Sequence, residues 1–168
     1  KIEEAEYNAS DMLVNKSIWK NSDGKQSEES YYDSEGALLG KTITKFDDLG
    51  RTSEVYQYFA NGKLDVKKVY TYNDAGKLSE VTYIDIEEKM IEKTVYRFDE
   101  KYAVTEEQTY NESNKLSQRI IYKYDDNGNV TRKTTYAVSE KFGGTVNELI
   151  GINEFTYVYD TSSTSNAK

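Results

Sequence analysis

The sequence predicts an all-β protein: an up-and-down antiparallel meander of about ten or eleven strands, built from 26-residue double-hairpin repeats. The expected form is a curved, single-layer sheet, with a closed up-and-down barrel as the alternative. Three observations carry this prediction. Glycines fall at positions 24, 36, 50, 62 and 76, so their spacings alternate 12, 14, 12, 14. An Asp or Asn stands three residues before most of them, as in Tyr72-Asn73-Asp74-Ala75-Gly76-Lys77 and Tyr124-Asp125-Asp126-Asn127-Gly128-Asn129. The composition is rich in residues that suit pleated, half-buried surfaces: 16 of the 168 residues are Tyr, aromatics make up 13 %, and Pro is absent.

Each half-repeat reads as a strand followed by a hairpin turn. Asp or Asn opens a type I turn, and Gly takes the left-handed position that closes a three-residue loop with a bulge. Such a loop sets Asn73 opposite Lys77 and Tyr72 opposite Leu78. The same rule pairs Tyr32 with Leu38, Phe46 with Thr52, Tyr58 with Leu64, Ile84 with Met90, Phe98 with Val104, Tyr110 with Leu116 and Tyr124 with Val130. Cross-strand apolar pairs of this kind contribute roughly 0.2–1 kcal/mol each. Continuing the glycine alternation gives 88, 102, 114 and 128. Gly128 is in place, and Asn114 suits a left-handed residue. Glu88 and Tyr102 fit less well and mark degenerate copies.

Taken in order, residues 1–20 hold Ile2, Met12, Leu13, Val14, Ile18 and Trp19 with poor repeat matching, and read as an irregular first strand or a cap. Residues 21–140 are the repeats. The period breaks at Phe142-Gly143-Gly144, within a divergent closing segment, 141–160, whose Phe155–Asp160 reads as a closing strand. Residues 161–168 form a polar tail, expected to be loosely held. The whole is one β-repeat domain.

Because all spacings are even, the paired residues are expected to share one sheet face. That face would carry apolar belts near both rows of turns and a polar middle of Glu54, Lys68, Glu80, Glu92, Glu106, Gln118 and Arg132. The other would carry Ile43, Val55, Val69, Val81, Val95 and Ile121 among polar residues.

Composition also limits the chemistry. With no His and no Cys there is no Ser-His-Asp or Cys-His nucleophile and no zinc site of the usual kind. A charge of −8 without a basic tract argues against nucleic acid and anionic membranes, whose phosphates demand cations. No apolar run approaches the roughly 20 residues of a membrane-spanning helix. A chain that opens on Lys1 is expected to have lost an upstream segment.

The segment Tyr-[Asp/Asn]-x-x-Gly-[Lys/Arg]-[Leu/Val], as in Tyr72 to Leu78, resembles the YD repeats of the RHS/YD proteins. The resemblance covers roughly residues 30 to 137. It is similar in particular to small uncharacterised secreted YD-repeat proteins of Bacteroidetes. It implies antiparallel hairpins stacked side by side and a secreted, periplasmic or cell-surface location. In the large toxins of that family such repeats form a shell around a cargo. The motif is structural and carries over no catalytic residue.

Three constellations remain as candidate sites. The turns Asp47-Asp48 and Asp125-Asp126-Asn127-Gly128-Asn129 offer oxygens to Ca²⁺, but hairpin turns demand those residues anyway. No metal site and no cofactor is expected. Tyr56, Tyr58, Tyr70, Tyr72, Tyr96, Tyr110, Tyr122 and Tyr124 could form a row that stacks sugar rings or docks extended or proline-rich peptides, or could serve as the core of a thin sheet. Glu54, Glu80, Glu92 and Glu106 could supply a glycosidase pair, although any meander brings carboxylates to such separations. The expectation is a non-enzymatic extracytoplasmic binding or scaffold module that engages protein or glycan through an aromatic-rich face or an edge. The alternatives are an accessory piece of an RHS-like secreted system and a carboxylate-based glycan hydrolase.

Overall fold

A computed structural model describes residues 2–141 and 143–158. These form twelve strands: β1 (Ile2–Tyr7), β2 (Leu13–Ser22), β3 (Gln26–Asp33), β4 (Leu38–Phe46), β5 (Thr52–Phe59), β6 (Leu64–Tyr72), β7 (Leu78–Ile84), β8 (Met90–Phe98), β9 (Val104–Asn111), β10 (Leu116–Tyr124), β11 (Val130–Lys141) and β12 (Gly144–Glu154). The sheet order is β1 through β12 in sequence, with β1 and β12 at its two ends rather than paired, so the meander does not close into a barrel. No helix long and apolar enough to cross a membrane occurs among the described residues. Contacts divide the described residues into one unit that runs up to Tyr96 and takes in Thr109–Lys115, and another of Arg97–Gln108 with the described residues from Leu116 onward.

The turn chemistry is as the spacing dictates. Asp33, Asp47, Asn73, Asp85, Asp99, Asn111 and Asp125 each open a turn, and the side-chain Oδ1 of each accepts the backbone N–H groups two and four residues on. The residue three positions on stands at positive φ. Glu88 and Tyr102, both at φ 61°, adopt the same left-handed conformation as the glycines they replace. Those hairpins are therefore intact rather than degenerate: Asp85 and Asp99 satisfy the turn amides, which offsets the steric cost of a side chain there.

The N-terminal segment is likewise a regular hairpin. Asn8 Oδ1 accepts from Ser10 and Met12, and Asp11 takes the left-handed position at φ 63°. This turn escapes the glycine pattern because an Asp fills the glycine's place. The closing strand is also not where the sequence suggests. It is β12, over Gly144–Glu154, paired with β11, while Phe155–Val158 lie outside any strand. The run Thr145-Val146-Asn147-Glu148-Leu149, rather than the Tyr-rich segment, pairs with the Tyr136–Lys141 end of β11. Tyr159, Asp160 and the polar tail fall outside the described residues.

The expected pairs Tyr32 with Leu38, Phe46 with Thr52, Tyr58 with Leu64, Tyr72 with Leu78, Ile84 with Met90 and Tyr124 with Val130 form. One step beyond each pair, the register shifts. Tyr72 pairs with Leu78 but Thr71 pairs with Glu80, which leaves Ser79 as an extra residue in the outgoing strand. Val14, Leu39, Ser53, Asp65, Ile91 and Thr131 are extra in the same way. A one-residue slip moves every later side chain to the other face. The even spacing therefore does not keep the paired residues on one face. Lys41, Ile43 and Lys45 of β4 align with Tyr58, Tyr56 and Glu54 of β5, and Tyr56 in turn with Lys67 of β6.

Little is deeply buried in so thin a sheet. Val81 and Val138, at 6 % and 8 % exposure, are the buried apolar side chains among the described residues, and most other apolar side chains of the strands keep part of their surface exposed. Gly40 of β4 is a required close approach: a Cβ there would lie 2.7 Å from the Tyr58 carbonyl oxygen.

Candidate functional site: the charge ladder and the rim of turns

In the first unit, one face carries a ladder of ion pairs with the repeat period. Glu28 meets Lys41 at 3.7 Å, Glu54 meets Lys67 at 2.6 Å, and Glu80 meets Lys93 at 4.0 Å. The second unit repeats the device with Glu106 and Arg119 at 2.6 Å. Each Glu sits one full repeat after the last, and each cation half a repeat after its Glu. Glu54 is held from both sides, with Lys45 at 3.1 Å and the Tyr56 hydroxyl donating at 2.9 Å. The Lys67 ammonium, then Lys45 and Tyr56, hold its carboxyl down to about 2 against the opposing pull of partial burial. Glu106 is held below the usual range chiefly by Arg119, with Gln108 donating to it as well.

Glu54 and Glu80 therefore share this face, but Glu92 does not. It pairs with Tyr83 on the opposite face and is exposed. A glycosidase acid must keep its proton near neutrality. Glu54 and Glu106 are shifted the other way, and Glu92 stands apart from Glu54 and Glu80.

The eight tyrosines also divide. Tyr56 and Tyr58 lie on the ladder face with their rings stacked at 6.5 Å, and Tyr110 lies under Lys93 of the same face. Tyr70, Tyr72 and Tyr96 lie on the opposite face. In the second unit, Tyr122 and Tyr124 share one side of β10 and donate hydroxyls to the Glu107 carboxylate and the Val104 carbonyl. All eight are half-buried, and several carry a cation over the ring. Lys45 and Lys67 flank Tyr56, Lys41 covers Tyr58, Arg51 covers Tyr72, and Lys93 covers Tyr110, at 4.3–5.3 Å. Tyr72 also donates to the Thr52 carbonyl, which ties neighbouring hairpins together. These rings are the packed layer of the sheet rather than an open platform.

Exposed apolar side chains gather along one row of turns, with Leu49 and Tyr102 exposed singly at turns of the other row. In the first unit this rim comprises the turns that open at Asn8, Asp33, Phe59, Asp85 and Asn111. Leu39, Phe59, Ile86 and Ile91 stand on it at 58 %, 51 %, 68 % and 45 % exposure. Two of these, Leu39 and Ile91, are the extra residues of their hairpins, which turn outward because no partner faces them. On the other row the equivalent position holds Ser53, Ser79, Thr105 or Thr131, and its hydroxyl donates to a backbone carbonyl. The rim encloses a cleft of about 600 Å³ between the Phe59 and Asp85 turns, lined by Phe59, Lys63, Leu64, Asp65, Asp85 and Ile86. A second, of about 480 Å³, is lined by Asp85, Lys89, Met90, Ile91, Glu112 and Ser113. Sequence reading misses this surface. Its signal is an unpaired position that recurs once per repeat, at 39, 65 and 91, and it shows only once the register shift is known.

A second apolar surface follows β12, where Leu149, Ile150 and Ile152 are exposed. The turn aspartates are occupied by backbone amides, and no group of three or more acidic side chains able to hold a metal occurs among the described residues.

No family model matches the chain, and no curated protein matches it. Among solved structures it is weakly similar to a porin-like protein from Bacteroides uniformis, at 11 % identity and a TM-score of 0.39, over 89 % of this chain and 88 % of that one. It is also weakly similar to a Photorhabdus luminescens Tc holotoxin pore, at 13 % identity and a TM-score of 0.35, over 86 % of this chain and 10 % of that one. A protein of unknown function from Bacteroides fragilis resembles it at 14 % identity and a TM-score of 0.22, over 92 % and 91 % of the two chains.

Proposed function

We propose that this protein is a non-enzymatic binding or scaffold module of YD-repeat type, acting outside the cytoplasm and engaging a protein or glycan through the rim of its sheet. The observation that carries the reading is the separation of two kinds of surface. The tyrosine and Glu–Lys layers are satisfied internally, whereas the rim presents a row of exposed apolar side chains around recurring clefts. Exposed apolar surface of this kind marks interaction sites. The carboxylates held ionised at Glu54 and Glu106 favour a structural role over hydrolysis.

The test compares the full chain with a variant carrying Leu39→Ser, Phe59→Ser, Ile86→Ser and Ile91→Ser. Both are immobilised and exposed to cell-envelope extract and to a panel of polysaccharides. A protein or glycan retained by the native chain and lost from the variant is the expected result. Equal retention by both, or none by either, overturns the reading. Turnover of chromogenic glycosides that is lost in Glu54→Gln would replace it with a hydrolase.

A further inference from the structure

The two rim clefts are consecutive copies of one device. Five lining positions of the first (59, 63, 64, 65 and 86), moved along by one repeat, become lining positions of the second: 85, 89, 90, 91 and 112. The clefts are offset by two strands, so their centres stand about 9.6 Å apart along the rim at a strand spacing of about 4.8 Å. A ligand that fills both must present side chains at that interval on one side. A polyproline-II chain does so, since its three residues per turn at about 3.1 Å each bring residues i and i+3 to the same side about 9 Å apart.

The two floors differ in chemistry. Phe59, Leu64 and Ile86 make the first largely apolar, beside Lys63, Asp65 and Asp85. In the second, Met90 and Ile91 form an apolar strip beside Asp85 and Glu112. Lys89 is paired with Glu87, and the turn between the clefts also carries Glu88. A long cationic side chain suits this arrangement, its stem along Met90 and Ile91 and its head on the carboxylates. The chain's charge of −8 attracts such a ligand.

We propose that the Phe59–Ile91 stretch of the rim binds a proline-rich peptide in the polyproline-II conformation. An apolar residue occupies the first cleft, and an Arg or Lys three positions later occupies the second. The inference rests on the reading of the rim as a binding surface and names its ligand. A glycan fits less well, because sugar hydroxyls would find no partner on the Phe59–Leu64–Ile86 floor.

The test is fluorescence polarisation of the full chain against a labelled Pro-Pro-Leu-Pro-Pro-Arg-Pro-Pro peptide, with cellohexaose and chitohexaose as separate arms. Saturable peptide binding is expected, weakened tenfold or more by Ile86→Ser, by Glu112→Lys, or by moving the Arg one place along the peptide. None of the three changes touches the packed layer. Peptide binding that ignores these changes, or is absent, overturns the proposal. If a hexasaccharide binds instead and is lost in Ile86→Ser, the rim stands as a binding surface and the peptide falls. If nothing binds, the peptide falls, and retention of envelope components on the immobilised chain decides the rim reading.

Discussion

Replacing Glu54 with Gln removes the carboxylate that Lys45 and Lys67 share while keeping its size. A carboxyl held at about 2 instead of 4.5 corresponds to about 3 kcal/mol at full coupling. The side chain is 26 % exposed, and solvent screening reduces this to about 1–2 kcal/mol. Because the folded pKa lies below the unfolded one, this stabilisation is fully present above about pH 4.5 and is lost as pH falls through about 2. Urea unfolding of both proteins at pH 7, 4.5, 3 and 2 measures the effect. Glu54→Gln should be less stable by about 1–2 kcal/mol at pH 7, and the difference should narrow toward pH 2, where the native carboxyl is itself about half protonated. The exposed Glu92→Gln serves as control and should change stability by less than about 0.5 kcal/mol. A Glu54→Gln protein equal to the native one at pH 7, or a deficit that does not vary with pH, refutes the account of the ladder.

Three further outcomes can be measured by thermal or urea denaturation. Gly40→Ala should cost about 1–3 kcal/mol because its Cβ meets the Tyr58 carbonyl at 2.7 Å, whereas Gly151→Ala, with open space around it, should be near neutral. Glu88→Gly and Tyr102→Gly should each raise stability by up to about 1 kcal/mol by relieving a left-handed side chain; a loss at both positions contradicts the strain. Tyr72→Phe should cost about 0.5–1.5 kcal/mol through the lost bond to the Thr52 carbonyl, while ring and Arg51 contact remain.

The hairpins are legible in the sequence because turn chemistry is local. A turn-opening residue such as Asn73, Asp85 or Asp125 and the left-handed residue three places on belong to one short run of chain, and together they fix the first pair beyond the turn. The faces are not legible, because one residue past that pair the outgoing strand carries an unpaired position. Nothing in the glycine spacing records it. Ser53, Ser79, Thr105 and Thr131 mark it on one row of turns, but Leu39, Asp65 and Ile91 mark it on the other with no shared chemistry. The tyrosines and glutamates thus stand out in the sequence as a layer, yet even spacing alone puts Tyr70, Tyr72 and Glu92 on the wrong side of it. The terminal hairpin escapes because Asp11, not a glycine, takes the left-handed position.

The extra residue in each hairpin also sets the step by which such an array can grow. A half-repeat carries one register shift, so its duplication would turn every following side chain over and set lysines where apolar groups belong. A full repeat carries two shifts, which cancel. Its insertion keeps both faces in place and brings a new Glu that finds its cation half a repeat on. Length can therefore change by gene duplication in whole units, with each added rung already matched to the one beside it.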